Sequence, residues 1–216
     1  MKTATSRTQS PSLLDVAHRA WTAFARRPES GAILSVLVIG IFLSIATTQF
    51  LTVANLMLVA RGFAFTAIAA MGAFLVIVTG GIDLSVGSVM GLAGLTAAFL
   101  SANGTSFLVA LMAGLAAGAL VGLVNGLFTA HMNLAPFMVT LGMLSVVRGI
   151  DVAITGGTPI QGIDPAITWL GQGYVLGIPV PVWIMVVLGI LLTIVMKRTT
   201  FGWYVYAIGG NIEAAR

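Results

Sequence analysis

Residues 84–147 read LSVGSVMGLAGLTAAFLSANGTSFLVALMAGLAAGALVGLVNGLFTAHMNLAPFMVTLGMLSVV, a run without Asp, Glu, Lys or Arg in which His131 is the one ionisable side chain. A predominantly apolar stretch of about 20 residues crosses a bilayer core about 30 Å thick, so this run alone has room for two or three crossings. Outward from it the pattern repeats: residues 30–60, 62–82 and 165–196 also carry no acidic or basic side chain. Each gap is long enough for a transmembrane helix.

The 216 residues are 58% hydrophobic and 7% charged, with a mean hydropathy of +1.07. Soluble globular proteins carry about 25% charged residues, so this chain could not cover a water-facing surface. That balance excludes a cytosolic enzyme, a disordered tail and a secreted disulfide scaffold. With no cysteine, thiolate metal sites are excluded as well. The net charge of +4 does not point to nucleic acid, because of where the charges fall. Lys2, Arg7, Arg19, Arg26 and Arg27 precede the first apolar segment, and Lys197 and Arg198 follow the last, as the positive-inside rule expects of residues flanking spans.

Breakers divide the gaps into six spans. The first covers about 31 to 48–50 and follows a leader too long and polar for a signal peptide, so it reads as a retained anchor. Within the leader, Leu14, Ala17, Trp21 and Phe24 recur at spacings of three and four. This predicts an amphipathic helix on the cytoplasmic membrane surface, the plainer alternative being a disordered basic tail. The second span, about Arg61 to Thr79, stops at Gly80-Gly81. The third begins after Asp83 and Ser85, both helix N-cap types, and runs to about Ser101, where Asn103-Gly104 turns the chain. The fourth covers Phe107–Ala130. The fifth starts at Pro136, a first-turn residue, and ends near Thr155-Gly156-Gly157. Residues 158–181 are too rich in Gly and Pro to span, and the sixth runs from about Pro181 to Met196. An even number of crossings places both basic ends in the cytoplasm, together with the 80–85 turn and His131, and leaves 158–181 outside. The expected fold is an all-α polytopic membrane bundle: a leader over 1–30, a transmembrane domain over 31–198 and a cytoplasmic segment over 199–216.

Few side chains in this bundle could carry chemistry. Gly114, Gly118, Gly122 and Gly126 form a ridge at intervals of four that lets another helix backbone approach closely. The plain reading is packing; the functional one is a seam along which helices rock during alternating access. Arg148 and Asp151, three residues apart, form a candidate intramembrane ion pair, with snorkelling to the outer interface as the alternative. Asp83 reads first as a cap at a reversal near the membrane boundary, and a lone His131 is weak evidence for a metal. Outside, Asp164-Pro165 predicts the start of a short helix that contains Trp169 and stops at Gly171. With Tyr174 and Trp183 it makes an aromatic surface suited to a headgroup belt or an external partner. There is no phosphate-binding loop of the G-x-x-x-x-G-K-[ST] type, the lysines being Lys2 and Lys197 alone. The reacting groups of a membrane protease, esterase or glycosidase are missing too.

Four segments carry a resemblance. The stretch Val78-Thr79-Gly80-Gly81-Ile82-Asp83-Leu84-Ser85-Val86-Gly87-Ser88 resembles the signature of permease subunits of ribose-type monosaccharide ABC importers. In the same order, Ala135-Pro136-Phe137-Met138-Val139-Thr140-Leu141-Gly142 with Arg148-Gly149 is similar to that family's fifth-helix region. Ile154-Thr155-Gly156-Gly157-Thr158-Pro159-Ile160 is similar to its outer loop, and residues 200–211, TFGWYVYAIGGN, resemble the approach to its cytoplasmic coupling segment.

The resemblance implies a pore-forming subunit without enzymatic activity of its own, in the bacterial inner membrane with its N-terminus cytoplasmic. Its implied partners are a second permease subunit as a homodimer, cytoplasmic ATPase subunits, a periplasmic sugar-binding protein and membrane lipid, but no nucleic acid. This chain would hold no cofactor or metal; ATP and magnesium would belong to the ATPase. Gly80, Gly81, Asp83, Leu84, Ser85 and Gly87 are the implied signature residues, and Glu213, Ala214 and Ala215 the start of the ATPase-coupling motif. Members of the family continue through several more spans, which implies that the chain to Arg216 is the front part of a permease. Alternatives are a nucleoside-type permease of a related branch, an ion-coupled secondary transporter using buried acidic groups, or a non-transporting scaffold.

Overall fold

The computed structural model describes residues 21, 22 and 24–211. Leu14 and Ala17 of the expected leader helix lie outside the described residues, whereas Trp21 and Phe24 sit on a helical turn with ring centroids 5.9 Å apart. The chain divides into two compact units, residues 1–56 and 57–216.

In the first unit, α1 (Ser30–Ala46) is an unbroken apolar helix. The hydroxyls of Ser35 and Ser44 donate to the carbonyls of Gly31 and Gly40, one turn back, which hides their polarity from lipid. After the extended Thr47, Thr52 caps the next helix by accepting a hydrogen bond from the Asn55 amide (3.3 Å). Helix α2 accordingly runs Val53–Val78 and begins more than two turns before Arg61. The expected start at Arg61 is corrected: a charge bounds an apolar span only when it needs water, and Arg61 finds protein partners instead.

The second unit takes up α2 from Met57 and continues with α3 (Val86–Ala102), α4 (Phe107–Ala130), α5 (Pro136–Thr155), α6 (Pro165–Gln172), strands β1 (Tyr174–Val175) and β2 (Ile178–Pro179), α7 (Val180–Arg198) and α8 (Thr200–Gly210). Local chemistry sets most of these ends. At the close of α2 the Gly80 amide donates to the Ile77 carbonyl and the Gly81 amide to the Val76 carbonyl, with Gly80 at φ +85°. That is a Schellman stop, and the left-handed position favours glycine. The same pair of bonds closes α3 at Gly104 and Thr105. Pro136 and Pro165 occupy the first turns of α5 and α6, and the Asp164 side chain accepts from the Ala166 amide (2.7 Å). Helix α6 passes through the expected stop at Gly171 and ends at Gln172 with Gly173 as its cap. There the chain makes an antiparallel hairpin, Tyr174 opposite Pro179 and Val175 opposite Ile178, around Leu176 (φ +52°) and Gly177 (φ +77°). Two positive φ angles identify a type I′ turn.

Small residues occupy the closest contacts of this unit: Ala64, Ala97 and Ala110 are buried, as are Leu92 and Val147. Large apolar side chains point outward, for example Leu108, Phe63 and Ile190, the arrangement of a bundle whose solvent is lipid. Helices α2, α4, α5 and α7 are long and apolar enough to cross a membrane; α1 and α3 are apolar but shorter, at 17 residues each. Each of the six expected spans is therefore a helix, and the fold is a polytopic helical membrane bundle.

Two glycines pin α8. A Cβ on Gly202 would strike the backbone of Met196 at the α7–α8 corner, and one on Gly209 would strike the Val78 carbonyl oxygen at the end of α2. Thr199 caps α8 from the Gly202 amide (3.5 Å).

Candidate functional site: a recessed polar turn

The chain between α2 and α3 carries the densest polar chemistry among the described residues. Asp83 Oδ1 accepts from the Ser85 amide (2.7 Å) and from the Ser85 hydroxyl (2.6 Å). The Ser85 oxygen then accepts from Asn125 Nδ2 on α4 (3.0 Å). From α5, Thr140 Oγ1 accepts from the Leu84 amide (3.2 Å) and donates to the Pro136 carbonyl (2.9 Å), with the Ile82 carbonyl 3.1 Å away. Ser85, Ser88, Asn125 and Thr140 are all buried. Two helices, α4 and α5, thus hold one turn by polar side chains, and buried polar groups in a membrane need such mutual satisfaction.

These bonds fix the depth of the turn. Asn125 lies five residues before the end of α4 at Ala130, and Thr140 four residues after the start of α5 at Pro136. At 1.5 Å per residue, Ser85 is recessed about 7.5 Å from one helix end and Leu84 about 6 Å from the other. The reversal expected near the membrane boundary lies within the bundle, about 6–7.5 Å in from the ends of the helices that flank it. The physical reason is the shortness of α3, 17 residues against the 24 of its antiparallel neighbour α4. Irregular backbone at such depth is tolerated where it lines a cavity, and a cavity of 360 Å³ lies there. Thr79, Gly80, Gly81, Asp83, Asn125, Thr129 and Thr140 are among its walls.

The glycine ridge of α4 splits in two. Gly114 faces α3, where an added Cβ would stand 2.5 Å from the Ala93 carbonyl oxygen, and Gly118 meets Ala93 and Val89 at 3.6 Å. A Cβ added at Gly122 or Gly126 would meet nothing within 4 Å, and both glycines line the cavity instead. Of the signature residues, Gly80, Gly81 and Asp83 line the cavity, Leu84 and Ser85 hold the turn, and Gly87 has open space around it.

Arg148 and Asp151 are not joined. Arg148 is exposed on α5, whereas Asp151 is half-buried with its Oδ2 toward Gly91 on α3 and its Oδ1 buried without a partner. A spacing of three leaves side chains about 60° apart around a helix, enough to send one outward and the other into the α3 contact. His131 is exposed at the end of α4, and among the described residues no group of three or more His, Cys, Asp or Glu could hold a metal. Trp169 and Tyr174 are exposed, and Trp183 donates to the Val175 carbonyl (3.2 Å). Glu213, Ala214 and Ala215 lie outside the described residues.

Three polar side chains have roles that the sequence does not announce: Asn125 and Thr140 at the turn, and Arg61 away from it. Asn125 is the sole amide side chain within the apolar 107–130 run, a signal of cost in lipid. Thr140 carries no such signal, because a helical Thr satisfies itself on its own backbone. Arg61 donates from Nη2 to the Gln172 carbonyl (3.0 Å) and lies 5.0 Å from the centre of the Tyr174 ring, tying α2 to the segment after α6.

Comparison with known proteins agrees with this architecture. The family model described as "Branched-chain amino acid transport system / permease component" matches residues 55–216. The ribose import permease protein of Escherichia coli (strain K12) is 37% identical over 87% of this chain and 60% of its own length. The galactofuranose transporter permease protein of the same strain is 41% identical over 69% of this chain and 44% of its own. The D-allose transport system permease protein is 33% identical over 83% and 55%. No solved structure matches the chain. The chain spans about 60% of the length of the ribose permease it matches. With a match covering α2 to the last residue, the chain belongs to the family of permease components described for branched-chain amino acid transport systems.

Proposed function

We propose that the protein is the membrane-spanning permease subunit of a monosaccharide ABC importer, in the bacterial inner membrane with its N-terminus in the cytoplasm. The observation that carries this reading is the 37% identity to the ribose import permease over 87% of the chain, joined to a polar recess inside a lipid-facing bundle. In this reading the protein works with a second copy of itself, cytoplasmic ATPase subunits that hold ATP and magnesium, and an extracytoplasmic sugar-binding protein. The chain supplies passage and specificity rather than hydrolysis. Residues 199–216 transmit ATPase closure, with Glu213, Ala214 and Ala215 at the docking contact. The pinning of α8 by Gly209 against Val78 supports a path from that contact to the 80–85 turn.

The test is uptake of radiolabelled D-ribose into vesicles containing the complete polypeptide with its ATPase and binding protein. Uptake is expected to require ATP, and Glu213→Ala to abolish it while ATP hydrolysis continues. Uptake that persists in ATP-depleted vesicles under a proton gradient would overturn the reading in favour of an ion-coupled transporter.

A further inference from the structure

The walls of the recess have an uneven supply of hydrogen-bonding groups. Thr79 donates its hydroxyl proton to the Val76 carbonyl (2.8 Å), Thr129 to the Asn125 carbonyl (2.9 Å) and Thr140 to the Pro136 carbonyl (2.9 Å). The amides of Gly80 and Gly81 are spent in the Schellman stop. What remains is mostly acceptor: hydroxyl lone pairs of Thr79 and Thr129, and Asp83 Oδ2, which accepts no hydrogen bond within the protein while Oδ1 takes two. No Lys, Arg or His lines the cavity.

We infer that this recess is a hydroxyl-reading subsite for a neutral polyol, with Asp83 Oδ2 and the Thr79 oxygen accepting hydrogen bonds from ligand hydroxyls. The inference rests on the transport reading for its cargo and deepens it. An amino acid fits less well: its ammonium could pair with Asp83, but its carboxylate would find no Lys, Arg or His on the walls to offset its desolvation. A bare metal cation fits poorly too: it needs several oxygen ligands converging at about 2–2.6 Å, and beside the single Asp83 carboxylate the walls offer neutral oxygens spread around 360 Å³. That volume lies within the range of pockets for small organic ligands, about 300–1,000 Å³. The glycines at 122 and 126 keep it open.

The chain has no cysteine, so Gly126→Cys, where an added Cβ meets nothing, places a single thiol on the wall. Its rate of modification by a small methanethiosulfonate reagent is measured on the membrane-embedded protein, with Gln161→Cys, an exposed position between α5 and α6, as a control. Saturating D-ribose is expected to slow modification at 126 at least fivefold and to leave Gln161→Cys unchanged. Leucine and sodium chloride are expected to give no protection. Asp83→Asn retains an oxygen for the Ser85 amide but presents a donor in place of Oδ2, and it is expected to remove the protection. Thr79→Val, which leaves that cap intact, is expected to weaken it. Protection by leucine or by sodium ions, no protection by D-ribose, or protection unaltered in both variants would each overturn the subsite. The readout needs no uptake, so failure here with ATP-driven D-ribose uptake intact would sink the subsite and spare the transport reading.

Discussion

Glycines that look equivalent in sequence have different neighbours in space. At Gly114 even a methyl group must push against the Ala93 carbonyl, which cannot give without moving α3. Overpacking of this kind costs about 1–3 kcal/mol. At Gly122 the same methyl meets open space and gains up to about 1 kcal/mol of helix propensity. Thermal unfolding of the detergent-solubilised protein should therefore show a lower midpoint for Gly114→Ala and an unchanged or higher one for Gly122→Ala. Equal midpoints would contradict the division of the ridge. The interval of four was visible in the sequence; the division was not, because α3 stops short and leaves the last two glycines without a neighbour. For the same reason the Asp83 cap was legible, as a bond spanning two residues, but its depth depends on Asn125 and Thr140, some 40 and 56 positions away.

Among elements, Arg61 helps to fasten the segment after α5, beside the Ser101 hydroxyl, which accepts from the Asp164 amide (2.9 Å), and the Trp183 indole, which donates to the Val175 carbonyl (3.2 Å). That guanidinium bonds the last carbonyl of α6 and faces Tyr174 on β1. A charged hydrogen bond and a cation–π contact together contribute about 1–3 kcal/mol. Arg61→Met should leave α2 intact while amides of residues 165–178 exchange with solvent roughly tenfold faster. Unchanged exchange would show that the segment holds itself. The ends of α5, α6 and α3 were readable because Pro136, Asp164-Pro165 and Asn103-Gly104 act within one turn of where they stand. The start of α2 was misread since the signal at Thr52 is weaker than a charge, and the β-hairpin was missed since Leu176 is an unusual occupant of a left-handed position.

For the whole molecule, the proposed orientation makes a prediction that the lack of cysteine renders simple to check. His131, Gln161 and Lys197 are all exposed. In intact spheroplasts a membrane-impermeant maleimide should label Gln161→Cys, and label His131→Cys and Lys197→Cys only after permeabilisation. The reverse pattern would invert the topology, and a mixed one would change the number of crossings.

The recess also bears on electrical geometry. A membrane potential falls across whatever low-dielectric material separates two aqueous compartments, and a polar, open cavity reaching about 7.5 Å in from the end of α4 is a place where water can take the place of such material. Where water fills such a cavity, the insulating layer beneath it is thinner than elsewhere and the field there is correspondingly steeper. A charge crossing the whole membrane exchanges about 2.3 kcal/mol per 100 mV, and less of that drop remains between the compartment and the cavity floor. The uncharged cargo proposed above would be indifferent to this drop, so a water-filled recess beside Asp83 would not couple its movement to voltage.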